Sequence, residues 1–150
     1  MVVFENKINI EKDLMGARKM ALNKAYDKYK ENAIFTSRPE ELTLMLYNGM
    51  VKFIMQGINA IEKKDIEKAN SSIIRAQDII TELQNTLDKN YDISKNLNML
   101  YDYMYNQLLD ANIRKDTKIL NEVLGFAKDL RDTWTEAIKI NMKSNIKAAR

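Results

Sequence analysis

The side chains that could do chemistry are few and poorly arranged for it. Histidine and cysteine are both absent from the 150 residues. Their absence removes the commonest general base near neutral pH, the commonest neutral metal ligand, every histidine-containing triad, thiolate nucleophiles and disulfides. Glu40 and Glu41 are neighbours in sequence, but adjacent helix positions point apart, and Glu40 has a capping role to fill. Glu62, Asp65 and Glu67 surround a helix junction, where acids favour the positive helix end; a divalent ion is the alternative use. The glycines at 16, 49, 57 and 125 are isolated, so no loop of them can cradle phosphate. No catalytic, cofactor-binding or metal-binding residue is expected, and the chain is not expected to be an enzyme.

What remains is chemistry of contact. Tyr101, Tyr103 and Tyr105 occur within five residues of one helical pattern, and a 3.6-residue period points them in different directions, so all three cannot face one core. Tyrosine offers a large apolar area while tolerating water, which suits either a core boundary or a binding surface. Met45, Met50, Met55, Met99 and Met104 add unbranched side chains that repack against irregular partners; each alone reads as core filler. Gly49 and Gly57 lie two turns apart and serve either tight packing or a shallow groove for a partner helix.

With a single proline and four glycines, helices must position these groups. Residues 1–16 read as a loosely held arm, and 17–31 as a short amphipathic helix that includes Tyr26. Ser37-Arg38-Pro39-Glu40 is a start signal: Ser37 as N-cap, Pro39 in the first turn, and Glu40 answering the N-cap amide. The helix it opens runs to about Lys64, with Leu42, Met45, Leu46, Gly49, Phe53, Gly57 and Ile61 as a buried stripe. Leu44, Tyr47, Val51, Met55 and Ile58 form a second stripe, which needs either more neighbours or a visitor. Asp65 caps a second helix whose Ile66, Ala69, Ile73, Ala76, Ile80, Leu83 and Leu87 step by three and four, the heptad geometry of bundles. A third helix over about 92–112 buries Leu97, Leu100, Tyr101, Met104, Leu108 and Ala111. Asp116 caps a fourth, carrying Leu120, Val123, Ala127 or Phe126, Leu130, Trp134 and Ala137.

Short connections favour antiparallel neighbours. The expected fold is all-α: an antiparallel up-and-down four-helix bundle with an additional short N-terminal helix, one domain over 17–150 ending in a basic tail at about 139–150. The net charge of +3 resides wholly in residues 131–150, where Arg131, Lys139, Lys143, Lys147 and Arg150 outweigh Asp132 and Glu136. The body therefore has no electrostatic claim on nucleic acid, and the i,i+4 lysines suit a solvated helix end. No apolar run approaches membrane-spanning length and the N-terminus develops no apolar signal region, so no stable membrane insertion and a cytoplasmic location are expected.

Ala33 to Gly49, reading Ala-Ile-Phe-Thr-Ser-Arg-Pro-Glu-Glu-Leu-Thr-Leu-Met-Leu-Tyr-Asn-Gly, closely resembles the signature of the flagellar secretion chaperone family FliS. The resemblance continues through Ala69-Asn70, Gln77 to Ile80, Leu83, Leu87 and Asn96-Leu97. It resumes at Leu100 to Met104, Leu109, Ala111-Asn112, Asp116 and Arg131 to Trp134. It implies a cytoplasmic export chaperone, without cofactors, that holds the C-terminal segment of flagellin in apolar surface grooves and prevents premature polymerisation. A flagellar assembly regulator and the flagellar export gate are further candidate partners. The resemblance also implies that the N-terminal segment, with Tyr26, covers part of the same surface. Tyr26, Leu44, Tyr47, Val51, Met55, Tyr103 and Met104 are the candidate partner-binding residues. Ser37, Pro39, Glu40, Leu42, Leu46, Gly49, Leu100, Tyr101, Asp116 and Trp134 are the candidate structural ones. Asn48 stands where the family commonly has Asp, which weakens any role for charge there. The competing readings are a self-associating structural or regulatory helical protein, and a helical-bundle enzyme.

Overall fold

The structure is a computed structural model that describes residues 39–149, with side chains described from 40 to 143. The expected arm at 1–16, the short helix at 17–31 and the candidate residues Tyr26 and Ser37 lie outside the described residues, as does the side chain of Pro39. Four helices follow one another: α1 (Pro39–Glu62), α2 (Ile66–Thr86), α3 (Asp92–Arg114) and α4 (Thr117–Ala149). No strand occurs among the described residues. Each helix packs on its sequence neighbours, and α4 closes the ring against α1.

Cross-helix contacts give the directions. Asn112 donates to Asn70 near one end of α2 and α3, while Gln84 donates to Asn98 and Asp102 near the other. Trp134 of α4 reaches Glu40 at the start of α1, and Leu120 at the start of α4 lies beside Gly57. All sequential neighbours are thus antiparallel, and the end of the bundle where α1 begins is also where α2 ends, α3 begins and α4 passes.

The connections are tight because caps fix them. The Asp65 side chain accepts the Lys68 amide at 3.1 Å, and Asp116 accepts the Lys118 amide at 2.8 Å, each meeting one of the unpaired donors at a helix start. Both preceding helices end on a lysine in the left-handed region, Lys64 at φ 60° and Lys115 at φ 51°. Asp65 N donates to Ala60 O and Asp116 N to Ala111 O, the six-to-one closure usually given to glycine. Lysine stands here where glycine is usual, at some cost in backbone strain.

The core explains the two stripes of α1. Leu46, Tyr47, Met50, Val51, Phe53 and Ile54 are all buried, so α1 is apolar around most of its circumference where α2, α4 and the diagonal α3 meet it. Neighbours, rather than a visitor, take most of the second stripe; Met55 alone of it stands clearly exposed, at 51%. On the other helices Ile73, Ile80, Leu83, Met104, Leu108, Leu120 and Val123 are essentially inaccessible. Burying one such side chain stabilises by roughly 1.5–3 kcal/mol, enough in sum to hold the bundle without disulfides.

Candidate functional site

At the end of the bundle where α1 begins, the helices do not close over their own core. The first turns of α1, the last turn of α2, the connection 87–91 and the start of α3 leave a cleft of about 310 Å³. Tyr47, Leu83 and Tyr101 form its inner surface, Leu87 and Leu97 its sides, and Trp134 one wall. Tyr91 and Ile93 stand at its rim, each 64% exposed. The connection is held in shape by Asp88, whose carbonyl accepts from Ser94 Oγ at 2.5 Å and whose carboxylate accepts the Asn90 amide at 3.0 Å.

The inner surface is preorganised. The Tyr47 and Tyr101 hydroxyls hydrogen-bond to each other at 2.5 Å across the diagonal between α1 and α3. Both rings are almost wholly buried, and burial raises both phenol pKa values above the ordinary range; for Tyr101 the neighbouring Tyr47 raises it further. The Trp134 indole stands edge-on to Tyr47, with centroids 6.3 Å apart, and its Nε1 donates to the Glu40 carbonyl at 2.8 Å. Beyond Trp134, α4 continues as an overhang: its 33 residues span about 50 Å against about 36 Å for the 24 of α1, at 1.5 Å rise per residue. A second cavity of about 370 Å³ opens under this overhang, lined by Glu40, Trp134, Ala137, Ile138, Ile140 and Asn141. Glu40 and Trp134 border both cavities.

A further apolar strip follows the seam between α2 and α3. The Asn70–Asn112 bridge and the Gln77 amide, which donates to the Tyr105 carbonyl at 3.4 Å, tie the two helices. Ile74 and Leu109 lie between these ties, 42% and 46% exposed, with Ile113 beyond at 75%.

The candidate residues are dispersed by this arrangement. Tyr47 lines the cleft but is only 2% exposed, and Val51 and Met104 are interior. These three present almost no surface in this conformation, because the second stripe of α1 and the inner face of α3 pack on each other. Leu44 is half-buried. Tyr103 lies at the seam between α3 and α4, edge-on to Phe126 and donating to Glu122 at 2.5 Å, a bond that raises its pKa. Met55 is exposed further along α1, so the seven do not form one patch. Of the structural set, Leu46, Gly49 and Tyr101 are buried, while Leu42, Leu100 and Trp134 are half-buried. The cleft's rim and sides, Thr43, Leu87, Tyr91, Ile93 and Leu97, were absent from the candidate site; the signal for them was a tyrosine and an isoleucine flanking a helix connection, where burial has no use for either.

Among the described residues no group of three or more acidic side chains could hold a metal ion. No helix among them is long and apolar enough to cross a membrane. The site is apolar surface with a few fixed polar atoms, an arrangement suited to binding.

Comparison with known proteins names the setting. Residues 22–141 match the family described as "Flagellar protein FliS". The chain is 47% identical over 124 residues to the flagellar secretion chaperone FliS of Bacillus subtilis (strain 168), an alignment covering 83% of this chain and 93% of that one. The chain belongs to the FliS family of flagellar secretion chaperones. Similar FliS chaperones occur in Salmonella typhimurium, 30% identical over 131 residues with 85% and 95% covered, and in Vibrio cholerae, 30% identical over 115 residues with 75% and 85% covered. The fold is also that of a solved flagellar chaperone from bacteria, with a TM-score of 0.64 over 77% of this chain and 95% of that one, at 20% identity.

Proposed function

We propose that this FliS-family chain is a cytoplasmic, non-enzymatic export chaperone that binds the C-terminal segment of flagellin and keeps it from polymerising before secretion. The observation that supports this most is the open cleft at the bundle end, where Tyr91 and Ile93 stand in solvent beside a preorganised aromatic interior. A compact monomer gains by burying such groups, so their exposure beside a cavity points to a partner. The strip along the α2–α3 seam extends the apolar surface and suits a client that runs over the bundle instead of filling one pocket. Capture is by equilibrium: apolar side chains that flagellin would offer to its own kind are covered, without nucleotide or covalent chemistry. The client orders as it binds, so contact must outweigh the entropy lost. An assembly regulator and the export gate remain candidate secondary partners.

Co-purification with full-length and C-terminally truncated flagellin tests the reading. The full-length protein is expected to form a one-to-one complex whose filament growth is delayed, and the truncated one to form none. Retained binding after truncation refutes the client segment. A stable homodimer in sedimentation that gives no flagellin complex favours the self-associating alternative.

A further inference from the structure

Where the two cavities meet, one polar atom is out of keeping with its surroundings. Glu40 borders both, its backbone pinned by Trp134, and its carboxyl oxygen Oε2 is buried without any hydrogen-bond partner. A carboxylate oxygen only accepts hydrogen bonds, and enclosing one without a donor costs free energy even where, as here, the residue as a whole is only half-buried. Its place in the first turn of α1 offsets part of that cost through the positive helix end, but supplies no bond to Oε2. The walls around it are mostly apolar: Trp134, Ala137, Ile138 and Ile140 on one side, Leu87 and Leu97 on the other. A neutral donor would satisfy the bond and leave the charge; a cation satisfies both.

We propose that the segment captured at this end carries a lysine or arginine between large apolar side chains, its cation docking on Glu40 while the apolar neighbours enter the two cavities. This rests on the reading above that the cleft holds a flagellin segment, and adds what that segment must contain there. Apolar filling alone discriminates poorly among amphipathic chains, whereas an acceptor that stands unpaired in the free chain favours the segment that brings its donor. Glu40 thus acts as the selector, and its vacancy in the free chain is a strain that the correct client relieves.

The test is a double-mutant cycle with the peptide of the cognate flagellin's C-terminal segment as probe, titrated by calorimetry against the full chain. Glu40→Gln is the informative substitution, since glutamine at this helix position caps as glutamate does but carries no charge. The variant is expected to be at least as heat-stable as the unsubstituted chain, and to bind the peptide about tenfold or more weaker, the range of one lost charge-assisted hydrogen bond. Replacing the matching cation of the peptide by glutamine is expected to weaken binding to the unsubstituted chain by a similar factor, and to Glu40→Gln by almost nothing. If each cation replacement costs the same against both proteins, the inference is overturned while client binding stands. The same follows if the bound segment has no lysine or arginine flanked by apolar residues. If the unsubstituted chain does not bind the peptide at all, the functional reading fails and this inference with it.

Discussion

Removing both hydroxyls of the Tyr47–Tyr101 pair should cost much less than the two single removals added together. The two oxygens are 2.5 Å apart, their rings 2% and 1% exposed. Tyr47→Phe or Tyr101→Phe keeps the ring and its packing but leaves the other phenol without its partner. An orphaned buried hydroxyl costs about 1–3 kcal/mol, and because both rings border the cleft, where a water can approach, the lower half of that range is expected. For a chain of this length each kcal/mol lowers the melting temperature by roughly 2–4 °C. In the double variant neither oxygen is left orphaned, so the cost should be well below the sum of the two, with a coupling of about 1 kcal/mol. Urea unfolding can be followed by the emission of Trp134, the one tryptophan of the chain, whose ring lies 6.3 Å from that of Tyr47. A double variant that loses as much as the two single variants added together would refute the idea that the hydroxyls satisfy each other.

The same pair sets an alkaline limit. Burial holds both phenol pKa values above the usual one, so unfolded tyrosines release protons near pH 10 while the folded ones keep theirs; stability is full below about pH 10 and falls above it, by up to about 1.4 kcal/mol per pH unit for each group. Urea midpoints between pH 9 and 11 should fall less in the double phenylalanine variant than in the unsubstituted chain. Gly57 and Gly125 should respond oppositely to alanine. A Cβ at Gly57 meets Ile73 Cγ1 at 3.2 Å, and that stiff, buried side chain cannot yield cheaply, so a loss of about 1 kcal/mol is expected despite the better helix former. A Cβ at Gly125 meets nothing within 4 Å, so the gain in helix propensity, about 1 kcal/mol, should appear in full. Lys64→Gly removes the strain at φ 60° and should raise the melting temperature by a few degrees, after allowance for the freer unfolded chain; no rise would show that the lysine is unstrained there.

The helices were legible because the information is local. The alternating three- and four-residue steps of Ile66 to Leu87 and the caps at Asp65 and Asp116 place α2 and the start of α4 within a residue or so of their observed bounds. The end of α4 was less legible: apolar side chains thin out beyond Ala137, yet the helix continues to Ala149, with no glycine or proline after Gly125 to stop it. The cleft was hardly legible at all. Periodicity marks which side of a helix is apolar, not whether a neighbour covers it, so Tyr47 and Val51 of the second stripe are enclosed, while Tyr91 and Ile93, which belong to no stripe, stand at the rim. The start signal assigns Glu40 a capping role, and only the folded structure shows that its Oε2 has no partner.

The bond from Trp134 to the Glu40 carbonyl joins residues 94 positions apart. The chain is made from its N-terminus, and sequence-adjacent helix pairs require only short loops to close, whereas joining α1 to α4 closes the longest loop among the four described helices. The cleft's wall is therefore in place only after nearly the whole chain has emerged and folded. On the proposed function, a partly synthesised chain has no complete receptor to offer, and client capture is deferred, by the order of assembly alone, until the molecule is finished.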